Sequence, residues 1–140
     1  MDTKKRTKIF IEYAREEVIK LSEEVSNKYN IEIISQPTEA LTMIKVREKA
    51  KNSLFYIGEV LVTETKVRIN DQIGVGIVRG HNEELSKAMA IADAYYKLND
   101  EDEDKWTEIF LKCEEEGIRK ESLYKTYLAN TKVDFNTMNE

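Results

Sequence analysis

The sequence predicts an α+β fold: an antiparallel sheet of about four strands, two helices on one face, and a C-terminal helical extension. Three observations carry this. Two stretches with apolar residues at helical spacing bracket the first hundred residues. Between them lie apolar segments of period two, joined by short polar connections, and short connections suit antiparallel neighbours rather than crossovers. After them comes "NDEDED", the most acidic run of the chain, and then more residues at helical spacing.

Residues 4 to about 28 read as one helix. Phe10, Tyr13, Ala14, Val18, Leu21 and Val25 form a single apolar stripe, and charges fill the other faces. The basic start, Lys4, Lys5, Arg6 and Lys8, reads as solvated. "NKYN" supplies two turn-prone asparagines to end the helix.

The strands follow in order. "IEIIS" puts Ile31 and Ile33 on one face, and Pro37 then stops regular pairing. "ALTMIKVRE", Ala40 to Glu48, is a second strand. "KAKNS" is a polar hairpin loop, and Leu54 to Asn70 is a long third strand. "IGVGIVRG" is the fourth. Helices at both ends of such a meander tend to cover one face and leave the other to water or a partner.

The second clear helix is "HNEELSKAMAIADAYYKL", with Leu85, Ala88, Met89, Ala92 and Tyr96 as its buried stripe. Asn82 is a good N-cap, and Glu83 and Glu84 suit the positive end of the helix dipole. The acidic run then divides an α-sheet-α body, residues 1–99, from a helical tail, residues 100–140, that packs on the body or on a partner subunit. In the tail, Trp106, Ile109, Phe110 and Cys113 share a face, and Gly117 reads as the C′ residue ending that helix. A further helix, about Glu121 to Ala129, carries Tyr124, Tyr127 and Leu128. Val133, Phe135 and Met138 lie beyond it.

Composition narrows the function classes. The net charge of -5 does not attract nucleic acid or anionic membranes, so neither is an expected partner. No apolar run approaches a membrane span. The one cysteine, Cys113, cannot form an internal disulfide, and a cytoplasmic setting is the expectation. One Cys and one His make a zinc site uncommon, and no metal or cofactor is expected.

Candidate chemistry is sparse. Glu59 sits in the long strand on the side of Phe55, Ile57, Leu61 and Thr63. A buried unpaired carboxylate is costly, so three readings stand. Gly58 marks a bulge, or Glu59 is paired and partly buried, or it is a catalytic acid. His81 is a loop histidine beside a helix start, or part of an anion site whose charge Glu83 and Glu84 would oppose. Gly74 and Gly76 leave one face of their strand bare. Another backbone or a flat group could approach there, and a twisted strand under a helix explains them equally. Arg47, Arg68 and Arg79, on or at the ends of three strands, are solvated or converge on an anion. A double-stranded-RNA-binding domain shares the element order, but "HNEEL" lacks the basic start that phosphates would need.

"TEALTMIKVRE", "FYIGEVLVTETKVRI", "GVGIVRGHNEELSKAMAIADAYY" and the closing "KVDFNTM" resemble the PhnG family of the phosphonate C–P lyase system. The resemblance runs from about Thr38 to Leu98 and again from Val133 to Met138. It implies a cytoplasmic subunit of a core assembly with PhnH-, PhnI- and PhnJ-type partners. That assembly makes α-D-ribose 1-methylphosphonate 5-triphosphate from ATP and methylphosphonate, releasing adenine. The nucleosidase activity belongs to PhnI, with PhnG as its companion. The positions carried over are Arg47, Gly58, Glu59, Thr63, Arg68, Gly80 and Asp93. Two departures stand out: "EKAKNSL" replaces a glycine-rich hairpin, and His81-Asn82 stand where Arg-Asp is frequent.

Two function classes follow. The first is a non-catalytic or co-catalytic subunit of the synthase, with no assigned catalytic residue. Arg47, Glu59, Thr63, Arg68, Arg79 and His81 are its candidates for anion, substrate or interface contact. Trp106, Phe110, Tyr124, Tyr127, Phe135 and Met138 form its docking tail, unless the tail folds back over the bare sheet face. The second is a stand-alone enzyme or binder of a phosphonate or nucleotide, using Glu59, Arg68 and Arg79.

Overall fold

A computed structural model of the chain describes residues 2–47 and 54–138, with side chains for all of these except 44, 46, 47, 54–57 and 131–138. The "KAKNS" loop lies outside the described residues. The elements are α1 (Thr3–Glu12), α2 (Arg15–Lys28), β1 (Ile31–Arg47), β2 (Leu54–Ile69), β3 (Gln72–Arg79), α3 (Glu83–Tyr95) and α4 (Glu103–Met138). The sheet is antiparallel in the order β1-β2-β3. The helices share one face, as the alternation in β2 and β3 requires. Thr63, Thr65, Val67, Ile69, Gly74, Gly76 and Val78 are buried on that side, while Lys66, Arg68, Ile73 and Ile77 are exposed on the other.

Three strands stand where about four are expected. The two segments on either side of Pro37 are one strand, β1. Pro37 is tolerated because β1 is an edge strand, where a missing N–H costs no ladder bond. The register shifts there: Ser35 faces Lys66 and Thr38 faces Glu64, so β1 carries extra residues around the proline. A second shift lies at Gly58. Ile44 faces Gly58 and Lys45 faces Tyr56, which leaves one extra residue on β2. Gly58 therefore adjoins a bulge.

The expected first helix is two. It breaks at Tyr13 and Ala14, where Ala14 takes φ -137° and ψ 39° outside the helix. Residue pattern alone does not show the break, because the apolar stripe continues through it. The tail errs the other way. Gly117 ends nothing, and α4 runs unbroken from Glu103 to Met138. The third helix begins as expected, with Asn82 Oδ1 accepting a hydrogen bond from the Leu85 N–H at 3.1 Å.

α3 lies across β3 and β2, and α2 packs on α3. The two strand glycines bring α3 down onto the sheet. A Cβ at Gly74 would lie 2.0 Å from Ala90 O, and one at Gly76 2.0 Å from Ser86 O. The flat group that approaches this bare strand face is the backbone of the chain's own helix. The small residues Ala88, Ala90, Ala92 and Ala94 complete the close packing. α1 and the first turns of α4 close the other end of the core. Phe10 meets Phe110 edge-on at 4.7 Å, and Trp106 stacks on Phe110 at 5.9 Å.

Two parts run past this core. β3 pairs only with Val62 to Ile69, so β1 from residue 41 and β2 up to residue 61 form a two-stranded arm. Leu41 (65% exposed), Met43 and Leu61 lie uncovered on it. Likewise every described side chain of α4 beyond Gly117 is exposed.

Candidate functional site

The root of the arm gathers the most sequence-predicted residues. Thr63 is fully buried and spends its hydroxyl locally. It donates to Gly80 O at 2.6 Å and accepts from the Asn82 N–H at 3.2 Å. Gly80 turns the chain with φ +81°, a conformation suited to glycine. That turn presents His81, whose Nδ1 meets Glu39 Oε1 on β1. One turn deeper, Ser86 Oγ donates to Gly76 O at 2.9 Å or to Thr63 O at 3.1 Å, and lies 2.8 Å from Thr65 Oγ1. The hydroxyl network locks the start of α3 onto β2 and β3. It leaves no free nucleophile: Thr63 and Ser86 are committed to backbone groups, and His81 lies at an exposed carboxylate.

The other candidates are not brought together. Glu59 faces Met43 across the arm and is exposed. It lies on the core-facing side of β2, but the arm has by then run past the helices, so water meets it. Arg68 is on the outer face, 3.7 Å from Glu32. Arg79 faces Val62, six residues further along β2, about 20 Å away at the usual rise of a strand. Arg47 lies farther still, opposite Leu54 at the end of the arm, and its side chain is outside the described ones. The arginines are strung along the sheet rather than set around one anion.

In the tail, Trp106 and Phe110 are buried in the chain's own core, so they fix α4 to the body and offer nothing to a partner. Among the described residues, α4 packs on α1 and α2. Tyr124 and Tyr127 are exposed on the projecting part of α4. Phe135 and Met138 are on the same helix, and their side chains lie outside the described ones.

Two anchoring groups were not legible as such. Arg6, expected in solvent, is 6% exposed. Its guanidinium lies 3.0 Å from Asp93 Oδ1 and 4.4 Å over the Tyr96 ring. Asp93 Oδ2 also accepts the Val75 N–H at 3.0 Å. The signal was the spacing of Arg6 from Phe10 and Tyr13, which puts it on the buried stripe. The side chain of Asp100, inside the acidic run, is almost wholly buried. It accepts from Lys28 Nζ at 2.8 Å, from Tyr95 Oη at 3.1 Å, from the Asp102 N–H at 2.9 Å and from Tyr29 Oη. Burial by itself would raise its pKa, but these donors outweigh it and hold the carboxyl well below the usual range. The Tyr95 hydroxyl is pushed up, by burial first and then by Asp100.

A cleft of about 480 Å³ lies between α2 and α3. Glu23 and Glu84 line it against one cation, Lys87, so it is poorly suited to a polyanion. No group of His, Cys, Asp and Glu among the described residues is placed to hold a metal, and no described helix is long and apolar enough to cross a membrane.

No curated protein matches the chain. The profile of the family described as "Phosphonate metabolism protein PhnG" matches residues 2–139, nearly the whole chain, including the α1 and tail segments outside the quoted motifs. The chain belongs to that family of phosphonate metabolism proteins.

Proposed function

We propose that this chain is a cytoplasmic subunit of the carbon–phosphorus lyase core assembly. There it assists formation of α-D-ribose 1-methylphosphonate 5-triphosphate from ATP and methylphosphonate, beside PhnH-, PhnI- and PhnJ-type subunits. Its role is non-catalytic or co-catalytic. Family membership supports the pathway. The observation that supports the subunit role is the uncovered part of α4. Leu123 is 67% exposed and Tyr124 63%, on a helix already anchored by its first turns. Large apolar and aromatic side chains exposed on an anchored helix are typical of a surface that a partner covers. The scattered arginines and committed hydroxyls favour a supporting part over a self-sufficient enzyme.

A truncation tests this if it spares the core. Removing everything from Asp104 would take Trp106 and Phe110 with it, so the cut belongs after Glu121, which accepts the Tyr13 hydroxyl of the body. The chain ending at residue 121 is expected to fold, to lose most of its affinity for the PhnI-type nucleosidase subunit, and to support less adenine release than the full chain. Equal affinity and equal adenine release would refute α4 docking. Turnover of ATP or methylphosphonate by the isolated full chain would refute the subunit role altogether.

A further inference from the structure

The free edge of β3 is closed at one end only. In the β2–β3 hairpin, Ile69 and Gln72 flank a two-residue turn, so Gln72, Gly74, Gly76 and Val78 direct their backbone groups to β2. Ile73, Val75, Ile77 and Arg79 direct theirs outward. Lys97 Nζ takes Ile73 O at 2.6 Å, and Asp93 takes the Val75 N–H at 3.0 Å. From there on, Val75 O and both backbone groups of Ile77 have no described hydrogen-bond partner. An unpaired edge of this kind is a template for another strand.

Beside that open edge, between β3 and α1, lies a groove of about 260 Å³. Phe10 and Met89 line it with apolar side chains beside Val75 and Ile77 of the strand, and the buried Arg6 closes it. It falls below the roughly 300–1,000 Å³ of a small-molecule pocket, and suits a side chain better than a nucleotide. Three cations, Arg6, Lys97 and Arg79, stand along this edge, and Arg6 and Lys97 share Asp93. Although the net charge of the chain is -5, these three cations lie along the open edge.

We infer that β3 accepts a short extended peptide segment, acidic and apolar in alternation, as a fourth strand along Val75 to Arg79. The incoming backbone pairs with Ile77, one apolar side chain enters the groove beside α1, and acidic side chains face Arg79 and Lys97. This goes beyond the docking of α4, which lies on another part of the molecule and uses no backbone pairing.

The probe is an acetylated, amidated pentapeptide of alternating glutamate and valine, with its lysine–valine counterpart as control, titrated to about 5 mM to cover weak binding. The readout is amide hydrogen exchange of the full chain by NMR. In the free chain the Ile77 amide is expected to exchange fast and the Val75 amide slowly. The acidic peptide should slow Ile77 at least about tenfold, and the basic one should not. Ile77→Pro removes the outward donor where an edge strand tolerates proline, so that variant should keep the native circular dichroism and lose the peptide. The inference is overturned if the acidic peptide leaves Ile77 exchange unchanged, if both peptides act equally, or if folded Ile77→Pro binds as well as the parent chain.

Discussion

Gly117 lies flat against the ring of Tyr13, so closely that a Cβ added to it would sit 2.1 Å from Tyr13 Cδ1. The Tyr13 hydroxyl then donates to Glu121 Oε2 one turn further along α4, at 3.2 Å. Tyr13 is also where α1 ends. The break between α1 and α2 and the continuity of α4 thus meet at one contact. The chain leaves the helix at Tyr13, that ring covers α4, and a glycine gives it room.

This contact predicts a change of sign. In the parent chain Gly117→Ala should destabilise by about 1–3 kcal/mol, because the methyl overpacks the ring by more than helix propensity returns. In a Tyr13→Ala background the same substitution should stabilise, by up to about 1 kcal/mol, since only the propensity gain remains. Urea unfolding of the four chains completes the cycle. An additive result would remove Tyr13 as the reason for the glycine.

Asp93 ties three elements, through Arg6 on α1, the Val75 N–H on β3 and its own place on α3. Asp93→Ala leaves the Arg6 guanidinium buried without its partner. The expected cost is roughly 3 kcal/mol, the lower end for a buried pair that loses one member, because Asp93 keeps some exposure. A loss below about 1 kcal/mol in denaturant midpoint analysis would mean that the pair is as weak as a surface one.

Asp100 makes stability depend on acid. Its folded pKa lies below its unfolded value, near 3.9, so its contribution is present above about pH 4. That contribution is lost as the pH falls through the depressed folded value. Asp100→Asn should therefore be less stable than the parent at pH 7, and the gap should close in acid, where the parent's own carboxyl is protonated. Urea midpoints of both chains across that range check the sign. A gap that widens in acid contradicts it.

The glycines of β3 and β2 should behave oppositely. Gly74→Ala and Gly76→Ala drive a methyl into the α3 backbone, which cannot rotate away, and should each cost about 3 kcal/mol or more. Gly58→Ala meets no atom within 4 Å and should stay within about 0.5 kcal/mol of the parent. Thermal melts of the three variants separate the packing role from the bulge role.

Much of the fold was legible because it rests on local periodicity. The alternation from Thr63 to Ile69, the Asn82 cap and the apolar stripe of α3 each follow from neighbours in sequence. The Gly58 bulge was legible as one of three readings. The pairing of two segments across Pro37 into one strand was not, since only the partner strand shows that β1 is an edge. Nor was the single α4 helix, because a glycine that stops a helix and one that admits a neighbouring ring look alike in sequence. The candidate site split the same way. Thr63 and His81 are close because β3, joined to β2 by a hairpin turn, ends just before His81, while Arg47, Arg68 and Arg79 share a sheet without sharing a place.

By itself, then, the sequence determined the α+β class, the placing of the sheet between helical segments, the family and the poverty of reactive side chains. Tertiary structure alone decided which charges are anchors, with Arg6 on Asp93 and four donors on Asp100. It also decided which aromatic residues face water, burying Trp106 and Phe110 and leaving Tyr124 in solvent. The reason is physical. Periodicity is a property of nearest neighbours along the chain, whereas burial and pairing depend on residues as far apart as Arg6 and Asp93, which only the folded chain brings to 3.0 Å.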